Sequence, residues 1–364
     1  MTNAINTTQL VGKKESVVDE VLLLNPNQTP LVNLLGFKQP VTNTTHVWYE
    51  DQTFAVKTKV TALAAIEATE LTVADVEPFV VDAIVQIEEE LVQVTAINTS
   101  AKKITVVRGY AGTTASAIAK DAEIEFLYVR GEEGADIPKS RYKPRQRVEN
   151  YTQIFMESVE VTGTAESVSQ YGVDGLYNYE KAKKQLEVAL QLEKSLINGV
   201  KFDDGTVRHL GGLRNFIKTN VTDAGKVAIS IKMLTDMVQT VFEKGGLAGG
   251  GQYAFIVSAH QKRAISDLQG DKIRITQAEN SRGQVVDHLV TDFGQFPIVM
   301  NDNVKSNEIF FIDINRTAIK PLNDRGFHHI PAAVTGDRQR GFIVGEYTLE
   351  FKQESAHGRI KNLA

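Results

Sequence analysis

The sequence predicts an α+β protein, and three observations carry that expectation. Residues Asn150 to Gly199 read as a strand, a glycine-punctuated bend and one long amphipathic helix. Residues 82–129 hold a cluster of short β runs separated by turn residues. Beyond Gly199, short strands and helices alternate. With 364 residues, 42% of them hydrophobic and 23% charged, the chain can bury a sizeable core spread over two or three domains.

Taken in order, residues 1–45 read as an arm. Polar clusters at Thr2–Thr8, Asn25–Pro30 and Thr42–Thr45 interrupt two apolar patches, Val17–Leu24 and Leu31–Phe37. Such a segment cannot bury its own apolar groups, so it lies either on a neighbouring subunit or on its own domain. Residues 46–72 and 130–149 flank a distinct module. From Asp82 to Ala115 the sequence shows three β runs, with turn clusters at Glu88–Glu90 and Asn98–Ala101. A fourth run, Glu123–Val129, closes residues 73–129 into a small barrel-like or meander unit.

The helix expected over Leu176–Asn198 has an apolar face of Leu176, Tyr179, Ala182, Leu186, Ala189, Leu190, Leu196 and Ile197. Glu180 precedes Lys184 by four residues, a favourable intrahelical pair. Asp174 is placed to cap the start, and Gly199 to end it in a left-handed turn. At ~1.5 Å per residue the helix is roughly 35 Å long, the length of a strut. Helices are then expected at Ile229–Lys244 and Ala259–Leu268. Strands follow at Tyr253–Val257, Gln295–Asn301, Glu308–Ile314 and Ile343–Phe351. The last alternates apolar and polar residues, as a half-buried strand does.

The chemistry-bearing residues form no active-site pattern. Gly245–Gly251 follows a helix and precedes a strand without the lysine of a phosphate loop, so it reads as a connector. Asp292–Phe293–Gly294 stands without the companion motifs of a kinase. The seven histidines lack ligand spacing, and the adjacent pair His328–His329 would point to opposite faces of a strand. No GxSxG motif is present. Neither an enzyme, a cofactor nor a bound metal is expected. Cysteine is absent, which removes disulfides and thiolate chemistry and is compatible with a cytosolic site of assembly. The net charge of −5 argues against wholesale coating of nucleic acid. No apolar run is long enough to span a bilayer, and residues 1–20 lack the pattern of a secretory signal.

One basic stretch stands out. Lys139, Arg141, Lys143, Arg145 and Arg147 recur at every second residue, which on an extended strand places five charges on one face. The favoured reading is an electrostatic contact between subunits. A solvated edge and a phosphate-binding stripe are the alternatives.

Three blocks carry a family resemblance. They are Thr29–Phe37 (TPLVNLLGF) followed by His46–Thr53 (HVWYEDQT), then Asn150–Gly172 with the helix behind it, then Glu346–Leu363, with GGLRNFI (Gly211–Ile217) between the last two. Together they resemble the major head (capsid) proteins of tailed bacteriophages. The module's VVRG strand end (Val106–Gly109) and GTTA turn (Gly112–Ala115) are similar to small modules of phage virion proteins.

The resemblance implies a Hong Kong 97-type capsid fold. Its parts would be an N-terminal arm (1–45), an extended β-hairpin loop (46–72 and 130–149) and an inserted β domain (73–129). A peripheral domain (150–218 and 341–364) would be built on the 176–198 spine helix, beside an axial domain (219–340). It further implies self-assembly as hexamers and pentamers into an icosahedral head around double-stranded DNA held without sequence-specific binding. A separate scaffolding protein and a portal would be partners, with assembly in the host cytoplasm and no membrane. Trp48 and the five basic residues are the candidate intersubunit contacts. The alternative is another virion component, such as a tail-tube, connector or decoration protein.

Overall fold

A 23-residue helix, α3 (Leu176–Asn198), is the longest helix of the computed structural model, which describes residues 29–134, 140–168, 173, 175–247, 251–268, 275–279, 285–333 and 336–364. The described residues divide into two units. One runs up to Trp48 and resumes at Arg147, and the other is Tyr49–Gln146. The strands Thr45–Glu50 and Gln146–Tyr151 pair where the chain passes between them.

In the first unit, α3 lies along a sheet whose central strand is Arg338–Phe351. Gln153–Thr162 pairs along one edge of that strand, and Thr317–Pro321 and His328–Pro331 along the other. Val188, Leu192, Leu196 and Ile197 of α3 are fully buried against Phe155, Ile343 and their neighbours. Tyr177 packs on Val159 and Val161. The buried face is therefore rotated from the expected one, and Ala182 is exposed. Lys184 pairs with Glu187 at 2.5 Å and lies 3.9 Å from Glu157, not with Glu180.

Both ends of α3 differ from expectation. At its start, Glu166 of the short helix α2 (Gly163–Ser167) accepts a 3.0 Å hydrogen bond from the Tyr177 amide. Asp174 lies outside the described residues. At its end, Gly199 has an ordinary φ of −54° rather than a left-handed one. Glycine is required there for space, since a Cβ would sit 2.5 Å from the Leu210 carbonyl oxygen and 2.4 Å from that of Ser195.

The arm's second apolar patch folds as helix α1 (Pro30–Leu35), with Leu31 and Leu35 in the chain's own core. It is tied down by Glu193 of α3, whose fully buried carboxylate accepts from the amides of Leu31 (2.8 Å) and Val32 (2.9 Å) and from Asn301 Nδ2 (2.5 Å). Burial pushes this carboxyl upward against those three donors. The first patch, Val17–Leu24, lies outside the described residues.

The strand Arg338–Phe351 is longer than expected and buried on both faces from Ile343 onward. Its polar face is covered by charges that arrive from elsewhere in the chain. Glu346 meets Arg208 at 3.2 Å, Arg325 at 2.9 Å and the Thr152 hydroxyl at 2.6 Å. Glu350 meets His46 at 2.5 Å, Lys320 at 2.6 Å and Lys352 at 2.9 Å. Burial opposes the Glu350 charge, yet these donors hold its carboxyl far below the usual range.

A second sheet of this unit has seven strands in the order Val221–Asp223, Gly358–Lys361, Ile309–Asp313, Tyr253–Val257, Gly294–Met300, Val285–Thr291, Ile275–Glu279. Tyr253, Phe255, Phe296 and Phe311 form its aromatic centre, with Phe255 and Phe311 ring centroids 4.6 Å apart. The helix Ile231–Glu243, capped by Ser230, covers it with Leu234, Met237, Val238 and Val241. Asp292 and Phe293 form a hairpin turn within it, which accounts for that kinase-like triplet. Residues 248–250 of the glycine connector lie outside the described residues.

Residues on either side of position 341 contribute strands to both sheets. Gly358–Lys361 pairs with Ile309–Asp313, while Thr317–Pro321 pairs with Arg338–Phe351. His357, at this junction, accepts from the Asp313 amide at Nδ1 (3.1 Å) and donates from Nε2 to the Lys352 carbonyl (3.1 Å). Burial pushes its pKa down to about 3, so the ring is neutral.

The second unit is a six-stranded sheet in the order Lys57–Lys59, Glu123–Val129, Ala83–Ile87, Glu90–Asn98, Lys103–Val107, Glu70–Thr72. A Val60–Val73 bridge joins the two ends and closes it into a small barrel. Val85, Ile87, Val92, Val94, Ile104, Val106 and Ile124 fill it with Val60, Leu71 and Val73. The module thus begins upstream of residue 73, because the strands 57–59 and 70–72 complete its sheet.

Candidate functional site

The basic stretch is an irregular limb from Ser140 to Arg145, and strand begins only at Gln146. Pro144 explains the break, since it lacks the amide proton a ladder needs. The charges consequently lack the regular alternation that a strand would impose. Lys139 lies outside the described residues. Arg141 sits 4.3 Å above the Phe54 ring and 3.4 Å from the Glu77 carbonyl oxygen. Lys143 Nζ is 2.5 Å from Glu77 Oε1. Arg145 reaches Asp51 at 3.4 Å, and Arg147 reaches Glu149 at 2.6 Å. The Arg145–Asp51 pair is well exposed, at 72% and 61%, and such pairs contribute only ~0–1 kcal/mol. The adjacent Tyr142 is 81% exposed.

Trp48 is placed differently from its expectation as an intersubunit contact. It is 6% exposed, with its ring 5.7 Å from His46 and 6.0 Å from Phe216. It therefore serves the subunit's own core.

A buried ion pair in the barrel was missed from the sequence. Arg108 Nε and Nη2 lie 2.7 and 2.6 Å from the two oxygens of Glu90, a bidentate fork. The Gly109 amide adds a 2.9 Å bond to the same carboxylate, and Arg108 Nη1 reaches the Ala65 carbonyl at 3.1 Å. Arg108 also bonds the Ser116 carbonyl. Burial works against the Glu90 charge, but the Arg108 and amide donors outweigh it and hold the carboxyl low. Arg108–Gly109 is the end of the VVRG motif, so that motif was the available signal. Gly109 has φ +61°, which glycine adopts freely.

Among the described residues, no cluster of His, Asp or Glu is arranged to hold a metal ion. A cleft of about 480 Å³ lies at the end of α3 between Lys194, Asn198, Asp302 and Asn303, without a convergent catalytic group. No helix among them is long and apolar enough to cross a membrane.

The sequence model of the SU10 major capsid protein family matches residues 3–364. The chain belongs to the SU10 major capsid protein family. A curated relative of this SU10-family chain, the major capsid protein of Escherichia phage Phieco32, is 24% identical over 225 residues. That match covers 61% of this chain and 58% of the relative, so the chain spans under two thirds of the relative's length. Among solved structures, the Cyanophage A-1(L) capsid subunit superposes with a TM-score of 0.56 at 11% identity, covering 100% of this chain and 99% of that one. The native GTA particle capsid gives 0.52 at 10% identity over 98% and 96%. Gordonia phage Cozz gives 0.52 at 11% identity over 98% and 92%. At these identities the likeness concerns the fold, which is the Hong Kong 97-like capsid fold.

Proposed function

We propose that this chain is the shell-forming subunit of a tailed-phage head, assembling as hexamers and pentamers into an icosahedral shell around double-stranded DNA. The observation that carries the reading is the capsid-type fold over the whole chain, in a member of a major capsid protein family. Its role is structural and its principal partner is itself. DNA is enclosed without sequence-specific contact, which the net charge of −5 favours. A separate scaffolding protein and a portal complete the assembly, which takes place in the host cytoplasm.

Within this reading, residues 1–45 are the arm, and 46–56 with 130–149 supply the limbs of the extended loop. The barrel is the insertion the loop carries, now counted from Lys57. Residues 150–218 and 341–364 form the peripheral domain on α3, and 219–340 form the axial domain. The exposed cations of the return limb are contacts between subunits. Sedimentation velocity of the purified chain, with and without candidate scaffolding proteins, tests the assembly. The expected result is a species many times the 40.1 kDa subunit. A single sedimenting species of subunit mass under all conditions would refute it.

A further inference from the structure

Two surfaces of the Tyr49–Gln146 unit carry opposite charge, and each is centred on exposed apolar side chains. The first lies at the end of the barrel held by the Glu90–Arg108 fork. There the loop around Ala65 presents Leu63, 78% exposed, and Ile66, 54% exposed. Glu67 lies on the same loop, and Glu88 and Glu89 form the turn just before the fork's own Glu90. All three glutamates are exposed, and none pairs with a described cation. The fork immobilises this end, because Arg108 bonds the carbonyls of Ala65 and Ser116 while Glu90 accepts the amides of Gly109 and Ser116. A buried ion pair contributes little net stability of its own, so its use here is to fix the shape of a surface.

The second surface is the return limb, with Tyr142 between Arg141 and Arg145. The barrel's own register keeps the two apart within the unit. Ala83 pairs with Val129, where the chain leaves the barrel, and Ile87 pairs with Ile124 at the far end, next to Glu88. That is roughly 15 Å of strand. The limb's cations meet Glu77, Phe54 and Asp51 instead.

We propose that the acidic, apolar end of the barrel in one copy docks on the return limb of a second copy, Leu63 and Ile66 against Tyr142 and the three glutamates against Arg141 and Arg145. The occupant follows from charge. An acidic rim repels phosphates, which excludes nucleic acid and anionic lipid, while the limb of an identical chain offers the complementary sign. Such a contact is heterologous, joining two different patches, and generates a ring where the rotation between copies closes. The inference rests on the shell reading above and names the partner surfaces for it.

A reciprocal charge swap in the full chain tests it. One variant carries Glu67→Lys, Glu88→Lys and Glu89→Lys, another carries Arg141→Glu and Arg145→Glu, and a third combines all five. The fraction sedimenting as shells is read beside wild type, with circular dichroism confirming that each variant folds. Each partial set should lower the assembled fraction at least about tenfold, and the combination should restore it. Partial sets that assemble like wild type, or a folded combination that fails to recover, would overturn this contact alone. A wild type that never assembles would overturn the shell reading together with the contact built on it.

Discussion

His357 is held neutral by its surroundings, with the Asp313 amide on one ring nitrogen, the Lys352 carbonyl on the other and Phe351 packed 4.0 Å away. Its pKa falls from an ordinary 6.5 to about 3 in the fold. Between those values the unfolded chain binds a proton that the folded chain does not, so stability falls as pH falls through that window. The slope from this one group is at most about 1.4 kcal/mol per pH unit. Denaturant unfolding between pH 4 and 7 should show the loss, and His357→Gln should flatten it. Glu193 makes a separate prediction. Glu193→Ala leaves the Leu31 and Val32 amides and the Asn301 amide without their acceptor, and should destabilise the subunit by about 2–4 kcal/mol in the same assay. Neither residue was legible in the sequence. A glutamate on a long helix reads as a solvated position until the arm arrives to claim it, and Glu346 and Glu350 read as the wet face of a strand. The alternation of Ile343–Phe351 reports which residues share a face, while the cover over the second face comes from Arg208, Lys320, Arg325 and His46, far away in sequence.

Elements were more legible than their partners. The helix α3, the strand Tyr253–Val257 and the β runs of the barrel stand where period and turn residues placed them. The buried face of α3 was misplaced because its leucines and alanines leave two faces nearly equal, and the sheet chose Val188 and Leu192. Leu192→Ala should therefore cost about 2–5 kcal/mol, whereas Ala182→Ser, at an exposed position, should be near neutral by thermal melting. The basic run failed as a strand at Pro144. In the barrel, the short strands 57–59 and 70–72 were too brief to read, yet Leu71 of the second and Val60, just past the first, enter the core. A fragment spanning 56–130 should unfold cooperatively, and one spanning 73–129 should not, when followed by circular dichroism. Within the longer fragment, Arg108→Ala strands the Glu90 carboxylate without its counter-charge and should cost about 3–5 kcal/mol.

At the scale of the whole molecule, the ordering of sequence blocks carried more information than any single residue. The fold proved to be the one that the block order implied. The division into arm, loop and two domains was drawn from the resemblance, and the sheets cut across it where Gly358–Lys361 returns to the seven-stranded sheet. Charge spacing reports a basic stripe but not the local acids, Glu77, Asp51 and Glu149, that engage it within the chain. The shell reading has a direct test in electron microscopy of the chain produced in cells, alone and beside its scaffolding candidates. Closed shells, or rings of five and six subunits, are the expected result; a field of isolated subunits under every condition would contradict the shell reading.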